Sequence, residues 1–190
     1  MKILVSLCAF LLSITSCGAT TICWSGTEIA ADSQSTSGHL KYKSASPKLV
    51  RSDKRHATLA AAGMVMITNP IKKYFLETDK PLSEYELPEI ALKTEGSFAL
   101  FIVYDDGTAE YYTHLMTDPQ PVVAPFAMGS GEEIALAALV CGKTAAEAIE
   151  IAKELDLYTG GKVHVLTAPV LEIKMDVTMP SLELPKTITL

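Results

Sequence analysis

The chain has 190 residues, a formal charge of -6, 48% hydrophobic residues and 20% charged residues, the make-up of an ordinary globular protein able to bury one sizeable core in a single domain. Lys and Arg are scattered without a basic stripe, which argues against a nucleic-acid partner. The four cysteines, Cys8, Cys17, Cys23 and Cys141, include no pair at ligand spacing, so neither a zinc site nor a disulfide framework is expected, and at most one bridge could survive removal of a leader.

Residues 1–19 read as a leader: Lys2 precedes the apolar run Ile3 to Ile14, and Cys17-Gly18-Ala19 is a small-residue stretch suited to cleavage. Three routes stay open. A signal peptidase could cut after Ala19; Ile14-Thr15-Ser16-Cys17 could serve as a lipoprotein box that leaves Cys17 acylated; or the segment is a propeptide removed by the protein's own threonine. The first and third make Thr20 the first residue. Its hydroxyl would then share a residue with a free α-amine of ordinary pKa about 7.7 to 8, close to where a general base works best, and an amine beside a hydroxyl is one of the few ways to activate a threonine nucleophile.

Thr20 to Trp24 and Ile29 to Asp32 flank Ser25-Gly26-Thr27-Glu28 and predict a tight hairpin. Gln34 to Pro47, rich in Ser, Gly and Lys, predicts a turn-bearing loop. Lys48-Leu49-Val50 and His56 to Ala62 predict a strand pair closed by Gly63. Met64 to Thr78 has helical spacing, with Pro70 kinking the helix or starting it afresh, and Ser83 to Lys93 is a second, interrupted helix.

Ser97 to Tyr104 and Thr108 to His114 flank the hairpin signal Asp105-Asp106-Gly107, and Val122 to Met128 is a further strand. Gly129-Ser130-Gly131 opens a helix over Glu132 to Cys141, and Thr144-Ala145-Ala146-Glu147 is a capping box opening another to Leu155. Val163 to Leu166 is the last strand; beyond Pro169, Pro180 and Pro185 predict a loose tail. Segregated runs of strands and helices predict α+β, with two antiparallel sheets stacked and a helical layer on each outer side.

Singly, most of the chemistry-bearing residues have bland explanations. Asp32 and Lys48 would be a solvated pair, Gly63 a turn into a helix, Ser130 an N-cap and Asp156 a turn former. His39, His56, His114 and His164 have no ligand spacing, and Gly142-Lys143-Thr144 lacks the upstream glycine of a phosphate loop, so no ATPase site is expected in this chain. Trp24 is expected in a core or an interface.

Taken in order, these segments resemble the N-terminal nucleophile hydrolases, specifically the proteasome β-subunit and its bacterial HslV-type relative. Thr20-Thr21-Ile22 is similar to the family's mature start, Ala30-Ala31-Asp32-Ser33 to its first acidic motif, and Ser46-Pro47-Lys48-Leu49 to its catalytic-lysine motif. Ala60-Ala61-Ala62-Gly63 is similar to the oxyanion-hole segment, Met128-Gly129-Ser130-Gly131 to the serine motif, and Asp156-Leu157-Tyr158-Thr159-Gly160-Gly161 to the late aspartate turn. The chain departs from the family in a shorter first hairpin, in Ala19 where proteasome precursors favour glycine, and in its tail.

The resemblance implies a four-layer αββα domain over 20–168, between the leader 1–19 and the tail 169–190, and a threonine peptidase acting on peptides or unfolded proteins without a cofactor or catalytic metal. Thr20 would be the nucleophile; Lys48 would lower its hydroxyl pKa and hold the amine neutral, Asp32 would hold Lys48, and the Gly63 N–H would take the oxyanion. Ser130 and Asp156 would hydrogen-bond around the amine, and carbonyls near Asp156 and Thr159 would be the place for a structural cation. A homo-oligomeric ring, a separate ATPase unfoldase and a cytoplasmic location are further implications, although the leader leaves a periplasmic or secreted location open. A non-catalytic subunit of the same fold and a lipid-anchored binding protein are the alternatives.

Overall fold

The computed structural model describes residues 19–37, 40–43, 46–87, 98–113 and 118–167. The leader routes, His39, His114 and the tail therefore lie outside the described residues. Among the described residues eleven strands and three α-helices follow in chain order. β1 (Thr21–Trp24), β2 (Glu28–Ala31), β3 (Gln34–Ser37), β4 (Leu40–Lys43), β5 (Leu49–Ser52) and β6 (Ala57–Gly63) precede α1 (Val65–Glu77). β7 (Phe98–Tyr104), β8 (Ala109–Thr113), β9 (Gln120–Pro121) and β10 (Phe126–Gly129) lead to α2 (Glu132–Val140), α3 (Ala145–Leu155) and β11 (His164–Thr167). The class is α+β.

One sheet has the order β10-β1-β2-β11 and the other β5-β6-β7-β8-β9, with β3 and β4 forming a separate hairpin. Every pairing among the described residues is antiparallel. The period-two alternation of strand side chains sorts the core into three clusters. Ile22, Trp24, Ile29 and Ala31 of the first sheet meet Ala60, Ala62, Ala99, Phe101 and Val103 of the second. The residues between them point the other way: Cys23 and Ala30 pack on Ala135, Leu139, Ala148 and Ile149 of α2 and α3, while Leu59, Ala61, Leu100 and Ile102 pack on Ile67, Ile71 and Phe75 of α1. β1, β2, β6 and β7 thus bury apolar side chains on both faces. Full burial of one large side chain such as Phe101, at 0% exposure, is worth about 1.5 to 3 kcal/mol.

Helix ends follow their chemistry. In α3 the Glu147 N–H donates to Thr144 Oγ1 at 3.2 Å and the Thr144 N–H to Glu147 Oε2 at 3.0 Å, the reciprocal capping box. Pro70 lies inside α1 without ending it; the buried stripe Ile67, Ile71 and Phe75 holds both halves against the second sheet, and the Arg55 guanidinium sits 4.8 Å over the Phe75 ring.

Three expectations need correction. The loop read over Gln34 to Pro47 contains the β3–β4 hairpin: polar strands with few apolar residues give no period-two signal. Of the strand read over Val122 to Met128 only Phe126 to Met128 is strand, as part of β10 paired with β1; Val122 still donates to the Ala109 carbonyl of β8 in the other sheet at 2.9 Å, and the chain crosses between sheets around Pro125, which cannot donate to a ladder. Where a helix was expected from Ser83 to Lys93, the described part holds only a 3-10 turn, Leu82–Glu84, with residues from 88 onward outside the description.

Candidate active site

The first sheet delivers Thr20 to the site at the head of β1, where the residue is 4% exposed. The hydroxyl donates to the carbonyl oxygen of Ala19 at 2.6 Å. A second donor reaches the same oxygen: Lys48 Nζ lies 3.2 Å away, brought from the segment just before β5 in the other sheet. The Ala19 carbonyl, which carries the peptide bond that must be cut to free Thr20, therefore receives both a hydroxyl and an ammonium.

Asp32 fixes this geometry. Its side chain is fully buried, and Oδ1 accepts from Lys48 Nζ at 2.6 Å and from the Thr21 N–H at 2.8 Å. Oδ2 takes the N–H groups of Gln34 and Gly160, each at 3.0 Å. One carboxylate thus ties together the head of β1, the strand after β2, the lysine and the late glycine turn. Burial is the largest influence on Lys48 and pulls its ammonium below the ordinary value, while the charge and hydrogen bond of Asp32 oppose it without cancelling it. A solvated surface pair, the explanation that either residue would carry taken alone, does not describe them.

A second network reaches Thr20 through Ser130. Asp156 Oδ2 accepts from the Ser130 hydroxyl at 2.7 Å and from the Thr159 hydroxyl at 2.5 Å. Burial pushes the Asp156 carboxyl up, but these hydroxyls and the Tyr158 N–H outweigh it and leave the group below its ordinary value. Ser130 also reaches Thr20: its N–H donates to the Thr20 carbonyl at 2.8 Å, with its hydroxyl 3.4 Å from the same oxygen.

The hydroxyl directions can be worked out. Thr159 gives its proton to the carboxylate, so it must accept from Thr21 Oγ1, 2.5 Å away, and Thr21 in turn accepts from the Gly131 N–H at 3.0 Å. A Cβ on Gly131 would come within 2.5 Å of Thr21 Oγ1, so this approach requires glycine.

The fold thus gathers Thr20, Asp32, Lys48, Ser130 and Asp156. Gly63 ends β6 at φ 113°, a backbone suited to glycine, and no hydrogen bond among the described residues ties it to Thr20. Residues missed in the sequence are Thr21, whose signal is the Thr-Thr doublet, Thr159 and Gln34, which act through contacts far apart in the chain, and Lys72, treated below. Cys23 and Cys141 are both free thiols; burial, followed by the charge of Glu28, raises the Cys23 thiol to about 12, which makes it inert. Among the described residues no three His, Cys, Asp or Glu side chains gather as metal ligands.

No family model and no curated protein matches the chain by sequence. Solved structures do match in three dimensions. Thiobacillus denitrificans BPH superposes with a TM-score of 0.58 at 18% identity, covering 78% of this chain and 96% of that one, and the structure of that protein in complex with epoxomicin gives the same values. Eukaryotic HslV from Trypanosoma brucei also gives 0.58 at 18% identity, over 78% of this chain and 97% of its own. At this identity the likeness speaks for the fold: the chain has the proteasome-type fold of the N-terminal nucleophile hydrolases.

Proposed function

We propose that the chain is a threonine-type peptidase or amidohydrolase whose nucleophile is Thr20, released by a cut after Ala19. The observation that carries this reading is the convergence of the Thr20 hydroxyl and the Lys48 ammonium on the Ala19 carbonyl oxygen, at 2.6 and 3.2 Å, with Lys48 held by a fully buried Asp32. In the uncut chain the Thr20 nitrogen is an amide and cannot act as a base. Once the bond is cut it becomes an amine on the same residue as the hydroxyl, between the Lys48–Asp32 pair and the Ser130–Asp156 pair.

In the mature enzyme the amine takes the hydroxyl proton as Oγ1 attacks a substrate carbonyl. The ammonium of Lys48 stabilises the developing charge on Oγ1, an acyl ester forms on Thr20, and the protonated amine gives its proton to the leaving nitrogen. Water then attacks the ester, regenerating the hydroxyl and releasing the second product. Gly63 is assigned the oxyanion N–H by resemblance, a donor whose loss typically costs about 3 to 4 kcal/mol. Ser130 and Asp156 are assigned to orient the amine, supported by the Ser130 contacts with the Thr20 carbonyl.

The reading extends to architecture and assembly. The three core clusters support a four-layer αββα domain spanning 20–168. Exposed apolar side chains at the helical ends, including Val140 at 72%, Leu155 at 69% and Leu157 at 74% exposure, support helix-mediated packing of copies into a ring whose sites face an enclosed chamber, fed by a separate unfoldase. The test is hydrolysis of fluorogenic peptides by the wild-type chain and by Thr20→Ala. Turnover should vanish in the variant while its circular dichroism is unchanged; equal hydrolysis by both would remove Thr20 from the mechanism.

A further inference from the structure

Lys72 is a buried cation that the reaction above does not use. It lies on the inward stripe of α1 at 7% exposure, and no carboxylate of the described residues pairs with it. Its ammonium donates instead to two neutral oxygens, Ser46 Oγ at 2.6 Å and the Pro47 carbonyl at 2.7 Å. An ammonium has three N–H donors, so one is left over. Burial, and then the nearby Lys48 charge, push this group down to about 8, as expected for a cation buried without a counter-charge.

The surroundings suit an anion of limited length. Lys72 lines an open groove of about 290 Å³ together with Ser46, Pro47, Asn69 and the aliphatic side chains of Val50 and Leu76. The groove's other two charges, Lys73 and Glu77, face each other at 3.9 Å and offset one another, so Lys72 gives the groove its net sign. The groove is also next to the chemistry. Its wall, Ser46-Pro47, runs directly into Lys48, whose Nζ touches the Ala19 carbonyl oxygen. Lys72 is also close enough to Lys48 for the two charges to act on one another.

We propose that Lys72 receives a carboxylate side chain of the bound peptide, making it a specificity-determining residue that favours acidic substrates. Val50 and Leu76 would carry the methylenes of a glutamate. The inference rests on the threonine-peptidase reading and adds the substrate class to it.

Two fluorogenic peptides that differ only in Glu or Gln before the cleaved amide test it, read as the ratio of their kcat/KM values. A hydrogen bond to a charged group predicts a Glu:Gln ratio of about tenfold or more in the wild type, a ratio near one in Lys72→Met, and recovery of the preference in Lys72→Arg. A wild-type ratio of one or less, or an unchanged ratio in Lys72→Met, overturns the proposal. Cleavage of the Gln peptide without a Glu preference sinks this inference alone, whereas failure on every peptide sinks the peptidase reading and this inference with it. Binding gives a readout independent of turnover: glutarate titrated into the full chain should saturate, as it should for Lys143→Met, and should lose affinity about tenfold in Lys72→Met. Absence of saturable glutarate binding by the wild type also overturns the proposal.

Discussion

Two buried ammonium groups adjoin the Ser46-Pro47 segment, Lys48 following it in the chain and Lys72 donating to it, and they are held in different ways. Lys48 is paired at 2.6 Å with a carboxylate that also gathers three backbone N–H groups. Lys72 has only a hydroxyl and a carbonyl. A buried charge that is paired and fully hydrogen-bonded becomes part of the framework, and removing its partner strands the remaining groups; one that lacks a counter-charge is a standing cost that a ligand can relieve. The Lys48 side is therefore built for position, and the Lys72 side for an incoming anion.

The comparison breaks most readily at Asp32. Asp32→Ala frees Lys48 and leaves the N–H groups of Thr21, Gln34 and Gly160 without their acceptor, and should cost about 3 to 5 kcal/mol of stability in urea denaturation. A loss under about 1 kcal/mol would mean that the carboxylate does not hold the site together. Next in size is Thr21→Val, which keeps the shape but removes the hydroxyl joining the Gly131 N–H to Thr159. It should cost about 1 to 3 kcal/mol and lower kcat more than it changes KM, because it loosens the Thr20 segment without touching the groove.

Much of the Lys48 side was legible in the chain. Thr20, Asp32, Lys48, Ser130 and Asp156 each lie in a short motif, and the hairpin and capping-box signals that position them follow local rules. The Lys72 side was not. Nothing near Lys72 in sequence distinguishes it from a solvated lysine, and its meaning comes from Ser46 and Pro47, which reach it across 26 and 25 residues of chain. The β3–β4 hairpin escaped for a different reason: Gln34, Ser35, Thr36 and Ser37 form a strand without an apolar period. The Val122 to Met128 run misled because it is apolar enough for one strand, whereas the chain changes sheets within it.

The smallest effect expected at neutral pH comes from Lys72→Met, which removes an unpaired buried charge and should leave the protein as stable as the wild type or slightly more so. Its signature is in the pH dependence. The folded-state value of about 8 lies below the ordinary 10.5, so between those values the unfolded chain binds more protons and Lys72 makes wild-type stability rise with pH. The variant should lose that rise; an identical pH profile would show that the Lys72 ammonium is not buried without a counter-charge.

The N-terminal sequence of the active, purified protein tests the account most directly. It should begin at Thr20, with Thr21 and Ile22 following, because only a cut after Ala19 supplies the amine that serves as the base. Catalytically active protein that still carries Ala19 or earlier residues ahead of Thr20 would contradict it.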